Sequence, residues 1–408
     1  MARFSDLPSE IVESVVCLLE LRDIRSLRLA SRATEAASSQ AYFQTFFLSK
    51  TIELETEAVA SFAAITESSR FAVLLQDLCI NGISPTLEAS ELNSEHVDML
   101  STAFLNLLKH CNQYCLRSLT VGVNDKVSSL SRNSRFIVGA SAVKAALYAV
   151  RNSGLLVEKL NFLHNIKECS VPCTTFDSLL EAARQVRFSR LRSLSISLTQ
   201  RFPEPDFDEE AEDELADCIT DNSKADLQGV EAAINFLALA SSHVEELNLH
   251  WYNTSSYPPS PTDVLLRGWF DQLSDTVFFR NLRNLTLRGL HASQPPLLKV
   301  LMSPSLQTVH LEFIRLSGSL RPILDCLTSP NRALNQFYLD DIYEEKLVHF
   351  FIQGKPKFPY SGRVPGPSTV LRKGTEVTLP LEYGYAGGRS LGSPELMRLQ
   401  RRRRQDFG

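Results

Sequence analysis

The apolar positions of this chain fall into a short pattern, apolar-x-x-apolar-x-apolar, that recurs eight times. The copies are LQDLCI (75–80), LRSLTV (116–121), VEKLNF (157–162), LRSLSI (191–196), VEELNL (244–249), LRNLTL (282–287), LQTVHL (306–311) and LNQFYL (334–339). Several continue to another apolar residue three places on, at Ile83, Leu290, Ile314 and Ile342. Such alternation predicts β-strands with one buried face: the fourth and sixth residues point one way, the third, fifth and seventh the other. KTIELE is read as an earlier copy, with Ile52 and Leu54 in the key places. The fourth positions stand 41, 41, 34, 53, 38, 24 and 28 residues apart, an irregular period carrying a constant strand. Between the strands, apolar residues change to helical spacing, as in Val97/Leu100/Phe104/Leu107/Leu108/Cys111, Val143/Leu147/Val150, Phe176/Leu179/Leu180/Ala183 and Leu227/Val230/Ile234/Leu237. Alternating strand and helix predicts parallel strands joined by crossovers. One such unit cannot bury its apolar face alone, so neighbours must stack. Polar residues at alternate strand positions argue against a doubly wound sheet, whose strands would be apolar on both faces.

The first 47 residues follow a different period. Leu7-Pro8 opens a helix, since proline suits a first turn. Ile11, Val15 and Leu18 then recur at helical spacing, with Glu10, Glu13 and Ser14 between them. Leu21-Arg22-Asp23 breaks the pattern, and Asp23 is placed to cap a second short helix carrying Ile24 and Leu27. A third helix is predicted from about Ala30 to Tyr42. So small a unit cannot bury all its apolar surface unaided, and needs its own downstream chain or another protein.

Leu7, Pro8, Glu10, Ile11, Val15, Leu18, Asp23, Ile24, Leu27 and Leu29 fall in register with the F-box pattern, and this segment resembles that family. Ala33-Thr34 stands where the family carries a large aromatic, and Tyr42 or Phe43 is the candidate to supply the bulk. The downstream repeats resemble the degenerate leucine-rich repeats that follow many F-boxes. The resemblance implies an α/β chain: a three-helix F-box at 1–47, then a right-handed leucine-rich-repeat-like solenoid at 48–345 with a concave parallel sheet. Residues 346–408 are read as a Pro/Gly-containing basic tail, partly disordered. It implies docking to a Skp adaptor, and through it a cullin ubiquitin ligase, by Leu7, Pro8, Ile11, Val15, Leu18, Ile24 and Leu27. The repeats would hold a protein client. An adaptor with no role in degradation and a basic-tailed nuclear scaffold are the alternatives.

Composition fits a globular chain without changing that picture: 44% hydrophobic and 22% charged residues. Charge is uneven. From Gln353 onward, eleven Lys/Arg against four Asp/Glu give +7, leaving −12 for residues 1–352 of the total −5. Without a signal peptide or a long apolar run, no membrane partner is expected and a cytoplasmic or nuclear setting is. Three segments interrupt the repeats. EPDFDEEAEDELAD (204–217) has nine Asp/Glu in fourteen residues and reads as a solvated insertion. SSYPPSPTD (255–263) reads as a Pro-rich turn before a helix holding Trp269 and Phe270. RLQRRRRQDFG ends the chain and reads as a basic end rather than a nucleic-acid contact. TEVTLPLEYGY, before it, could add an irregular strand or wrap the last repeat.

Catalytic patterns are lacking. There is no G-x-S-x-G elbow, no H-E-x-x-H and no Walker loop. The eight cysteines are irregularly spaced and fit reduced thiols. Cys111/Cys115 and Cys169/Cys173 have a spacing zinc tolerates, but one pair precedes its strand and the other follows its strand, so they would lie at opposite rims. No enzyme activity, cofactor or metal is therefore expected. The third, fifth and seventh strand positions face the open side. There the large and charged late residues His250, Trp251, Arg288, His310, Glu312 and Tyr338 form the candidate client patch.

Overall fold

A computed structural model describes residues 7–38, 41–83, 94–110, 115–124, 132–164, 166, 169–200, 218–252, 268–351 and 367–385. The acidic insertion 204–217, the Pro-rich turn 255–263, the arginine run 401–404 and Cys111 lie outside them.

Among the described residues the N-terminal unit holds the helical segments α1 (Ser9–Val16), α2 (Leu21–Ala30), α3 (Arg32–Ser38) and α4 (Ala41–Thr45). Pro8 is the N-cap of α1 itself, and its carbonyl accepts from the Ile11 and Val12 N–H groups. Glu20, not Asp23, occupies the cap position of α2; Asp23 sits in the first turn, where its charge favours the helix dipole. Ser31 and Thr34 cap α3 reciprocally, each backbone N–H donating to the other's hydroxyl. Val12, Val16, Ile24 and Phe43 form a small core of their own, so Phe43 supplies the bulk that Thr34 does not. The Tyr42 N–H donates to Glu13 and ties α4 back to α1.

The remaining chain alternates strand and helix: β1 (Ser49–Glu53), α5 (Thr56–Glu67), α6 (Ser69–Ala72), β2 (Asp77–Gly82), α7 (Ser94–His110), β3 (Cys115–Val123), α8 (Arg132–Ser153), β4 (Leu156–Phe162), β5 (Val171–Pro172), α9 (Thr175–Gln185), β6 (Ser193–Thr199), α10 (Cys218–Ala240), β7 (Glu246–Trp251), α11 (Trp269–Thr276) and β8 (Asn284–Arg288). Then come β9 (His291–Ser293), α12 (Gln294–Leu301), β10 (Thr308–Glu312), β11 (Arg315–Ser317), α13 (Arg321–Leu327) and β12 (Gln336–Asp340). The main sheet runs β1-β2-β3-β4-β6-β7-β8-β10-β12, parallel throughout and never reversing its order. The helices pack in the same succession, each against the next. The chain is thus mixed α/β with one large, mostly parallel sheet.

The repeated motif explains the layering. At the fourth and sixth positions, pairs such as Leu78/Ile80, Leu194/Ile196, Leu285/Leu287 and Phe337/Leu339 are buried and share one continuous core with the helices. Residues at the same motif position lie opposite one another across every strand pair. β1 is the early copy, but Ile52 lies opposite Ile80, so Ile52 takes the sixth position and Lys50, not Ile52, the fourth. Leu290, Ile314 and Ile342, the apolar residues three places on, are also buried.

Two further devices set the register. The second motif residue alternates in sign along the strands, as Arg117, Glu158, Arg192, Glu245 and Arg283. Arg192 and Arg283 both pair with Glu245, at 3.2 and 3.6 Å, and Arg117 pairs with Asp77. Each exposed pair contributes only about 0–1 kcal/mol, but swapping neighbouring strands would bring like charges together. The second device closes β8, β10 and β12: Gly289, Phe313 and Asp341, at one motif position, all adopt left-handed backbone with φ of 74°, 54° and 48°. The turn they make launches β9 and β11, which pair in parallel, and an added bridge joins Arg315 to Tyr343.

The segment from 346 is folded where it is described. β13 (Val348–Phe351) pairs with β15 (Glu382–Tyr385), and β14 (Thr369–Lys373) joins the main sheet antiparallel to β12. The parallel run is therefore capped by a strand of opposite direction, and TEVTLPLEYGY contributes β15 of the separate two-stranded sheet.

Candidate functional site

Two surfaces stand out from this frame. The first is on α1. Val12 and Val16 face the small core, whereas Ile11 and Val15 on α1, Leu7 just before it and Leu18 in the turn just after it are exposed. Ile11 is 49% exposed and Leu18 86%. Leu29, on α2, is exposed too. Such a set of apolar residues in water is the mark of an interface. Of the other residues expected to dock a partner, Ile24 is fully buried and Leu27 packs against the small core. Ile24 therefore holds the helices together, and Leu27 is half-buried beside the same core. Arg28 braces the unit by lying over the Phe43 ring at 3.9 Å and pairing with Glu35 at 3.3 Å.

The second surface is the sheet face opposite the helices. Its middle row, the fifth motif position, places Asn161, Ser195, Asn248, Thr286, His310 and Tyr338 side by side. The Asn248 amide donates to Ser195 Oγ at 2.8 Å, His310 Nε2 meets the Gln336 amide at 2.9 Å, and the His310 and Tyr338 rings meet edge-on. In the next row Arg288 pairs with Glu312 at 3.3 Å, and Asp340 accepts from the Tyr338 and Thr369 hydroxyls. Arg288, Glu312, His310 and Tyr338 are thus brought together, half-buried, on adjacent strands.

Two members of the expected client patch are not on that surface. Trp251 is 8% exposed and stacks on Trp269 at 4.5 Å in the main core. The alternation that buries Leu247 and Leu249 carries Trp251 to the same side. His250 points to the open side, yet it is only 5% exposed. Its Nδ1 meets Ser197 Oγ at 2.9 Å, which meets Ser170 Oγ at 2.6 Å, and Tyr252 packs edge-on against its ring. Tyr252 belongs to a second small core with Phe136, Phe313, Tyr343 and Leu347. These residues come from distant parts of the sequence, so local periodicity carries no sign of the burial. Burial drives the His250 pKa down to about 3, with the Arg288 charge adding to it. Burial also lowers His310 and His164, so these imidazoles favour the neutral form.

A cleft of about 770 Å³ lies beyond the C-terminal ends of the late strands and was not foreseen. His291, Ser293, Arg315, Ser317, Glu344 and Tyr385 line it. Glu344 is held there by the Leu320 N–H and the Tyr383 and Tyr385 hydroxyls. The sequence signal was the apolar residue three places past the strand, which builds the extra ladder.

Cys169 and Cys173 are buried, and burial pushes the Cys169 thiol up to about 12. Among the described residues no group of three or more His, Cys, Asp or Glu is placed to hold a metal ion. No helix among them is long and apolar enough to cross a membrane. No protein-family model matches the chain, and no curated protein matches it.

Proposed function

We propose that this chain is the substrate-recognition subunit of a Skp–cullin–F-box ubiquitin ligase. The observation that carries the reading is the exposure of Leu7, Ile11, Val15 and Leu18, on and beside α1, while the inner core is complete without them. In this reading α1 to α4 are an F-box and the Skp adaptor covers these residues. The ordered strands and helices are a degenerate leucine-rich-repeat solenoid, whose open sheet face holds a protein client. The chain performs no bond chemistry. It contributes proximity, raising the effective concentration of a client lysine at the ligase. Cytoplasm and nucleus are the compartments in which such a ligase works.

The test is a titration of the purified Skp adaptor against Ile11→Asp with Leu18→Asp. Burying one such side chain is worth about 1.5–3 kcal/mol, or roughly ten- to a hundredfold in affinity. The double variant should weaken binding by at least that factor with its thermal unfolding unchanged. Unaltered affinity would reject the reading. Adaptor binding without client ubiquitylation in a reconstituted assay would instead favour an adaptor that does not direct degradation.

A further inference from the structure

We propose that the apolar groove between α11 and α12 is the docking site of this chain's own segment 393–400. The proposal is independent of the ligase reading.

The groove, of about 440 Å³, lies on the helical side of the repeats. Buried Val277 and Val300 line it together with Pro295, Leu298, Phe278 and Met302. One wall is α11 with the three residues after it, and the other is α12. Phe278 is 65% exposed and Met302 63%, more than any other large apolar side chain described outside the N-terminal helices. Asp275 and Lys299 pair at 3.0 Å beside them. Apolar side chains gathered in water at one groove mark a surface that another segment covers.

The place where the described chain ends points to the occupant. Tyr385, the last described residue, lines the cleft at the start of the same two helices, with Gly268, Asp271 and Ser293. The groove begins one turn along α11, at Ser274, and at the first residue of α12, Gln294. At about 1.5 Å per helical residue, its middle is roughly 10–20 Å from that cleft. Beyond Tyr385 the sequence reads AGGRSLG, rich in glycine. Ser393-Pro394 then has the form of a helix start, a capping residue followed by proline. Leu396, Met397 and Leu399 come directly after it. From Tyr385 to Leu396 is eleven residues. A glycine-rich chain of that length spans roughly 17–20 Å on average and about 36 Å at most, which matches the distance to the groove. A short helix that lays apolar residues into a groove is a recurrent mode of recognition. The charges match too: Glu395 answers Lys299, and Arg398 answers Asp275.

Tethering selects this occupant over others. A segment whose linker matches the span has an effective concentration of order millimolar, well above that of a second copy or a free peptide in dilute solution. Docked, it holds the arginine run 401–404 on the helical side, away from the open sheet face.

The test uses the full chain with Met397→p-benzoylphenylalanine, a photo-reactive side chain, and maps its cross-links by peptide mass spectrometry. Cross-links should join residue 397 to residues 274–304 in a product of monomer mass, with a yield independent of protein concentration. Phe278→Glu with Met302→Glu, both at exposed positions, should lower that yield at least tenfold with the unfolding temperature unchanged. Leu396→Glu with Leu399→Glu should lower it equally, and decides the matter if the groove variant does not fold. A folded chain whose cross-links map elsewhere, or that forms none, overturns the proposal. Cross-links to 274–304 found only at dimer mass overturn it as well and give the groove to a second copy. So does an undiminished yield in the variants.

Discussion

The N-terminal helices and the repeat sheet solve the same problem to different degrees. In the sheet, the fourth and sixth motif residues from β2 to β12 are covered by helices on one side and by neighbouring strands along it, so one apolar core is continuous from Ile52 to Leu381. In the helices, four residues close a small core and another apolar set of similar size remains in water. A stacked unit shares apolar surface with its neighbour, whereas the short helical cluster keeps a small core of its own. The lesson is that equally apolar residues have opposite roles. Leu249 and Leu18 are both leucines on regular spacing, one fully buried and the other 86% exposed.

Substitution should separate the two regions sharply. Leu249→Ala removes a fully buried side chain, and chemical denaturation should record a loss of about 2–5 kcal/mol. Leu18→Ala should change stability by no more than about 0.5 kcal/mol while weakening adaptor binding. Similar stability losses at both sites would remove the contrast.

The strand ends sharpen it further. Gly289→Ala puts a side chain at φ 74° and against the Trp251 carbonyl, so the extra ladder should be destabilised by about 1–3 kcal/mol in the same measurement. Gly154, also left-handed but with open space around it, should tolerate alanine better.

Acid should act on the sheet before the helices. His250 has its folded pKa lowered from 6.5 to about 3, so it folds neutral. The unfolded chain takes up a proton below about pH 6.5 that the folded chain refuses until about pH 3. The stability lost across that window is about 2 kcal/mol between pH 7 and 5. Urea midpoints at the two pH values should show it, and His250→Gln should flatten it. An unchanged pH slope in that variant would relocate the effect.

The smallest expected effect is on the open face. Arg288→Ala with Tyr338→Ala deletes no core residue, so unfolding should shift by under about 1 kcal/mol. Recovery of ubiquitylated clients should fall if these side chains are anchors. Equal recovery would move the client site towards Asn161 and Asn248, at the other end of the row.

Period-two alternation determined the strands, their buried faces and the parallel order, because hydrophobic burial at fixed spacing leaves one register in which every leucine is covered. Period 3.6 determined the helices between them. The same rules located the α1 stripe without saying which of its two sides is spare: Val12 and Ile11 differ by one residue, and only packing against Ile24 and Phe43 decides between them. Tertiary structure alone decided that His250 is buried, since the groups around it come from residues 136, 170, 197 and 252. It alone paired Arg288 with Glu312 and built the cleft at His291 and Arg315. Spacing along a chain specifies which residues share a face; what covers that face depends on contacts between residues far apart in sequence, which no local period records.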